Sequence, residues 1–351
     1  MCSSTSCTLL MPLNSVLNGR ADGDARIAPE TRDRVLRAIA ETGYVADPIA
    51  RRLVARHNRI LGVFTYESVF PTETSDFYQP FLAGIEDRAE TFGCDLLLLT
   101  STPVIDGRRR LFHEGSRLRL ADGCVLLGRS LDAEDLTRLV ADGWPFVSVG
   151  RREDAGGPVP YVGANYPAAV AALVRQAAAL GHTHLAYLGQ GAGPESHADR
   201  MRGFLAAVAE TRVTGWHEPV KGLGQDQAGG GAGTATGTTR GAVEVLDALV
   251  ARGVTAVLAE DHADGVALAE AASARGLAIP GDLSLLSLGD PVRRSAPTSV
   301  EFTGFRIPRR QLGCEAVEVL TALIEDTPTG TQRLLDCELV RGATLGPPPA
   351  N

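Results

Sequence analysis

The 351-residue sequence predicts an α/β fold: two doubly wound parallel sheets with a small all-α arm in front. Three observations carry that expectation. From residue 60 onward, short apolar runs alternate with amphipathic stretches for about 280 residues, as parallel strands covered on both faces by helices require. The length allows two or three domains with full cores. The charge divides unevenly: residues 1–59 hold nine Arg, no Lys and six acids, a balance of +3, whereas the other 292 carry 25 basic and 36 acidic residues, −11 in all. A net charge of −8 excludes a protein coated all over in nucleic acid. A small basic module remains, and it is the arm.

Residues 29–43 carry a helical pattern. Pro29 suits the first turn, Val35, Leu36, Ile39 and Ala40 form an apolar stripe, and Gly43 fits the C-terminal cap. Asp47-Pro48 then restarts a short helix over roughly 48–56, rich in arginine (Arg51, Arg52, Arg56). So short a helix needs a partner to form. Strands follow at 60–64, 95–100, 123–128, 145–150, 161–165, 184–190, 255–260 and 282–289. Helices are expected at 80–93, 167–180, 199–210 and 263–275, with the two sheets in tandem. The Gly/Thr-rich stretch 222–241 reads as a flexible surface loop.

Other classes fall away. No run of about 18 apolar residues exists to cross a membrane. The N-terminus has no basic segment before its short apolar stretch, so it does not read as an export signal. Six cysteines without paired spacing fit a reduced, cytoplasmic protein. Gly189–Gly193 follows a strand but lacks the endings of phosphate-binding loops and reads as a β–α turn. His182 and His184 read as surface or packing residues, with no metal cluster around them. Glu153-Asp154 reads as a solvated acidic pair. No nucleophile elbow or zinc-protease motif occurs, and neither an enzyme nor a cofactor is expected.

Eight stretches in order resemble the LacI/GalR family of transcriptional regulators. They are SVLNG (15–19), residues 28–64, FYQPFLAGIEDRAETFGCDLLL (77–98), ALGHTHLAYLG (179–189), DRMRGFLAAV (199–208), GLAIPGDLSLLSLGD (276–290), RRQLGCEAVEVL (309–320) and RLLDCELVRGAT (333–344). The resemblance implies a helix-turn-helix headpiece, a hinge helix, and a two-lobed effector domain built like a periplasmic binding protein. It divides the chain into an incomplete headpiece (1–46), hinge helix and linker (47–59), effector-binding and dimerisation domain (60–345) and C-terminal tail (346–351). It further implies operator DNA and a sugar-like effector as partners, and a homodimer, because palindromic half-sites need two headpieces at fixed spacing.

Residue roles follow from the same resemblance. Leu53 matches the hinge leucine that wedges into the minor groove, with Arg51 and Arg52 beside it for phosphates. Packing of Leu53 on the body is the other reading. Ser15 and Asn18 fall on the end of the recognition helix, but Ser15 stands where a base-reading Arg is usual. Pro12 falls inside that helix, where proline costs about 3 kcal/mol. The headpiece is therefore incomplete as written, and an effector-binding module without sequence-specific DNA binding is the alternative function.

In the effector domain the resemblance points to Asp76, Phe77, Tyr78, Ser196, Arg200, Glu260 and Asp290. Phe77 and Tyr78 serve equally as core aromatics. Arg200 is either a ligand fork or a solvent-facing helix arginine. Glu260 either grips a ligand or is a solvated carboxylate after a strand. Gly289 stands where relatives place a sugar-gripping carboxylate, which argues against a typical hexose.

Overall fold

The computed structural model describes residues 30, 33–34, 37–38, 41, 57–67, 75–105, 108–220, 222–223, 241–289 and 301–350. Ser15, Asn18, Arg51, Arg52, Leu53 and Asp290 lie outside them, as does most of the Gly/Thr-rich stretch. The chain forms two compact units, Met1–Ile60 and Leu61–Asn351. In the first, the described residues between Glu30 and Glu41 are helical, as the apolar stripe predicts.

The second unit holds the alternating elements. In chain order they are β1 (Ile60–Thr65), α1 (Ser75–Thr91), β2 (Asp95–Leu98), a hairpin of β3 (Val104–Ile105) and β4 (Arg108–Arg109), β5 (Gly123–Leu127), α2 (Ala133–Asp142), β6 (Phe146–Val149) and β7 (Tyr161–Ala164). Next come α3 (Tyr166–Ala179), β8 (His184–Leu188), α4 (Glu195–Thr211), β9 (Thr214–Glu218), α5 (Ala242–Ala251), β10 (Ala256–Ala259), α6 (His262–Ala274) and β11 (Ser284–Ser287). The chain closes with β12 (Thr303–Arg306), α7 (Arg309–Ile324), β13 (Gln332–Leu335) and β14 (Glu338–Val340).

Two six-stranded sheets result, ordered β2-β1-β5-β6-β7-β13 and β9-β8-β10-β11-β12-β14. Their central strands are buried on both faces, which is why GCVLL, AVLA and SLLS lack polar alternation. The edge strands β9 and β13 expose most or half of their residues and carry no continuous apolar run. β9, β12, β13 and β14 escape a reading based on such runs. β14 pairs antiparallel with β12, the one such pairing in the two main sheets among the described residues.

The sheets are not in tandem. Helix α7 sends Leu312, Ala316, Val317, Val319 and Leu320 into the first core, and β13 pairs with β7. The chain therefore crosses between lobes three times, after β7, after β12 and after β13. Each crossing plants one residue against both cores: Tyr166, Ile307 and Cys337. Three strands of chain at one boundary form a hinge that permits rocking and restrains sliding.

Local sequence explains the helix starts. Asp132 caps α2 through the amides of Glu134 and Asp135, Asn165 caps α3 through Ala168, and Asp261 caps α6 through Ala263. Helix α1 starts five residues before the amphipathic stretch and runs through Pro80.

His182 is buried, with Nδ1 2.8 Å from Thr255 Oγ1 and Nε2 2.8 Å from the Gly346 carbonyl. A carbonyl only accepts, so Nε2 carries the proton, and in the neutral ring Nδ1 accepts from the Thr255 hydroxyl. Burial pulls its pKa below the ordinary 6.5, against the opposing pull of the Gly346 carbonyl. A depressed pKa contributes stability that is complete above 6.5 and is lost as pH falls from there through the folded value. We expect denaturant titrations to show this acid loss in the wild type. It should be absent from His182→Gln, which should be less stable by about 1–2 kcal/mol at pH 8.

Candidate effector site

Parallel sheets deliver their loops to the carboxyl ends of the strands, where ligands of open α/β sheets bind. Here that edge of the first lobe faces the N-terminal turns of α4 from the second. A cleft of about 640 Å³, counted with its open mouth, lies between them. Phe77, Tyr78 and Phe81 of α1 line it with Leu127–Arg129 after β5 and Val149–Arg152 after β6. Tyr166 and Ile307 contribute from two crossings, and Ser196 and Asp199 from α4.

Two ion pairs bridge the lobes across this cleft. Arg151 Nε donates to Asp199 at 2.8 Å, and Arg152 Nη1 to Glu195 at 3.0 Å. Arg152 also holds the Gly128 carbonyl at 2.7 Å and that of Arg151 at 3.1 Å, and burial lowers its pKa. The Asp199 hydrogen bond raises that of Arg151, while burial opposes it. Glu153, read as solvated from sequence, is exposed but pairs with Arg151 at 2.7 Å. Buried pairs of this kind specify a geometry more than they add stability. The geometry they specify here is the approach of the two lobes at the cleft.

The sequence-predicted residues divide. Phe77, Tyr78 and Ser196 line the cleft. Tyr78 is also core: it is 5% exposed, packs with Ile85 and Leu312, and donates its hydroxyl to Glu67. Phe77 meets Tyr78 edge-on at 5.0 Å and carries the Arg129 guanidinium 5.4 Å from its ring. Asp76 lies in the first turn of α1.

Arg200 does not face solvent. It is buried, stacks 3.9 Å from the Tyr166 ring, and donates to the carbonyls of Leu288 at 2.9 Å and Ser196 at 3.0 Å. It thereby fixes the aromatic wall of the cleft against α4.

Glu260 is not solvated either. It is 7% exposed, and its oxygens accept from the Tyr187 hydroxyl at 2.6 Å and the Gln190 amide at 2.8 Å. The Gly191 amide follows at 3.4 Å, and His197 Nδ1 lies 3.3 Å away. The Gly-rich turn after β8 thus turns its amides onto an internal carboxylate. Burial lowers the His197 pKa despite Glu260, with Arg200 and Arg129 adding to the lowering.

Sequence reasoning missed Arg151, Arg152, Glu195, Asp199 and Tyr166. The available signal was the Arg-Arg pair directly after the strand at 145–150. Among the described residues no group of three or more His, Cys, Asp or Glu side chains is placed to hold a metal. No helix among them is long and apolar enough to cross a membrane.

This architecture has known counterparts. Residues 174–345 match the family model described as a periplasmic binding protein-like domain. The chain is 24% identical over 306 residues to catabolite control protein A of Priestia megaterium, covering 86% of this chain and 85% of that protein. It is 23% identical over 316 residues to the transcriptional repressor PurR of Vibrio cholerae, covering 86% and 84%. These likenesses support the resemblance to the LacI/GalR family. Among solved structures, the lac repressor dimer bound to operator and an anti-inducer matches with a TM-score of 0.65 at 19% identity, over 96% of this chain and 95% of that one. At that identity the likeness is one of fold. This chain has the two lobes, joined by three crossings, and an arginine-rich cleft between them.

Proposed function

We propose that this chain is a cytoplasmic transcriptional repressor that acts as a homodimer on operator DNA and is switched by a small polar effector held between its lobes. The observation that carries the reading is the closed interlobe cleft: Arg151–Asp199 and Arg152–Glu195 lock it beside the three crossings. A ligand there shifts the balance between open and closed lobes by its difference in affinity for the two. Linkage carries that difference to the DNA end. In this reading residues 60–345 sense and dimerise, 47–59 form the hinge with Arg51, Arg52 and Leu53 on DNA, and 1–46 supply the headpiece contacts of Ser15 and Asn18. Relatives that are named transcriptional regulators and repressors support it.

The second reading is an effector-binding module without sequence-specific DNA recognition, favoured by Pro12 and Ser15 in the headpiece. Fluorescence anisotropy with DNA from upstream of the chain's own gene, against a scrambled duplex across a salt series, separates the two. Sequence-selective binding supports the repressor. Equal, steeply salt-dependent binding to both duplexes supports the module.

A further inference from the structure

The walls of the cleft specify a charge. Three guanidinium groups line it, Arg129, Arg151 and Arg152; Asp199 and Glu195 answer them from the second lobe, and Glu153 and Glu67 from the first. The Arg152 side chain is only 4% exposed, and its Nε–H has no acceptor among the described residues. Arg129 is exposed, with its guanidinium over the Phe77 ring and its backbone amide donating to the Glu67 carboxylate at 3.1 Å. The N-terminal turn of α4, a 17-residue helix, opens on the same space through Ser196. The remaining wall is apolar and aromatic, with Phe77, Phe81, Tyr166 and Ile307.

We propose that the cleft binds a small organic carboxylate on a ring-shaped body, with the carboxylate at Arg129 and Arg152 and the ring against Phe77 and Tyr166. This rests on the reading of the cleft as the effector site. Asp199 and Glu195 occupy the place of the ligand's acid in the closed form: they supply from the second lobe the negative charge that the first lobe's arginines require. Opening the lobes to admit a ligand parts these pairs. A carboxylate restores the charge, taking two parallel hydrogen bonds from the exposed Arg129 fork and facing the Arg152 Nε–H. A neutral ligand leaves a buried cation uncompensated. Asp199 is then a competitor of the ligand, not its anchor.

The test is calorimetric titration of the full chain with glucuronate and gluconate as sugar acids and benzoate as an aromatic acid. Glucose, sorbitol and benzamide serve as uncharged counterparts, and the two acid arms distinguish the kind of ring. An acid is expected to bind about tenfold or more tighter than its counterpart. Arg129→Gln should weaken it about tenfold. Asp199→Asn should tighten it, a gain that misfolding cannot imitate. Equal or better binding of an uncharged counterpart, lost in Tyr166→Ala but unchanged in Arg129→Gln, overturns the acid and leaves the effector site standing. Binding unchanged by both Tyr166→Ala and Arg129→Gln overturns the effector site as well. No binding of any acid probe, or weaker binding in Asp199→Asn, overturns the acid assignment.

Discussion

Glu260→Ala is expected to destabilise the chain by about 3–5 kcal/mol in urea denaturation, among the largest effects of any single side chain. The carboxylate is the shared acceptor of the Tyr187 hydroxyl and the Gln190 and Gly191 amides, and it faces His197. Removing it leaves buried donors without acceptors, each costing about 1–3 kcal/mol, and opens a void beside Tyr187, which is fully buried. Glu260→Gln keeps one acceptor oxygen but turns an amide N–H toward other donors, so it should recover only part of the loss. A loss below about 0.5 kcal/mol for Glu260→Ala, the usual range for surface substitutions, would mean that the carboxylate is solvated. Because the network ties the turn after β8 to the end of β10 and to α4, the same substitution should also weaken ligand binding in the cleft.

Gly84→Val is the second large effect, with an expected loss of about 3 kcal/mol or more and a fall in soluble yield. Helices α1 and α7 cross at two glycines. A Cβ on Gly84 would stand 1.9 Å from the Arg310 carbonyl oxygen, and one on Gly313 2.3 Å from the Phe81 carbonyl oxygen. Both obstacles are backbone, so the helices themselves must separate. Separation would open the first core, where Ile85, Leu312, Ala316 and Val317 interdigitate. Gly330→Val, at an exposed glycine where nothing lies within 4 Å of the added carbon, is the control and should change stability by less than about 0.5 kcal/mol. Matching melting curves for the two variants would contradict the close crossing.

These two positions mark what the sequence discloses. The buried strands at 123–127, 184–188 and 256–259 are legible because parallel strands covered on both faces carry continuous apolar residues. The helix around Phe81 and Ile85 is legible by period. Gly84 sits within that helix and Gly313 within the helical stretch after Pro308, but no local pattern says that the two helices cross there, 229 positions apart. Return of α7 and β13 to the first lobe is likewise a long-range fact, carried by packing rather than by spacing.

The site was half legible. Resemblance located Phe77, Tyr78 and Ser196, and the cleft contains them. Arg200 and Glu260 read from sequence as ligand-facing or solvent-facing, whereas each is engaged inside the protein: one props Tyr166, the other fills a glycine turn. The interlobe pairs went unread because Arg151 and Arg152 meet their partners 48 and 43 residues later in sequence. Charge patterning within a window does not reach so far.

In the proposed function, occupancy of the cleft controls DNA binding. This is tested most directly by measuring operator affinity of the full chain, with and without a saturating cleft ligand, in the wild type and in Tyr166→Ala. A shift of about fivefold or more is expected in the wild type, the lower range of allosteric coupling, and little or none in Tyr166→Ala. An operator affinity that stays the same while the ligand is shown to occupy the cleft would contradict it.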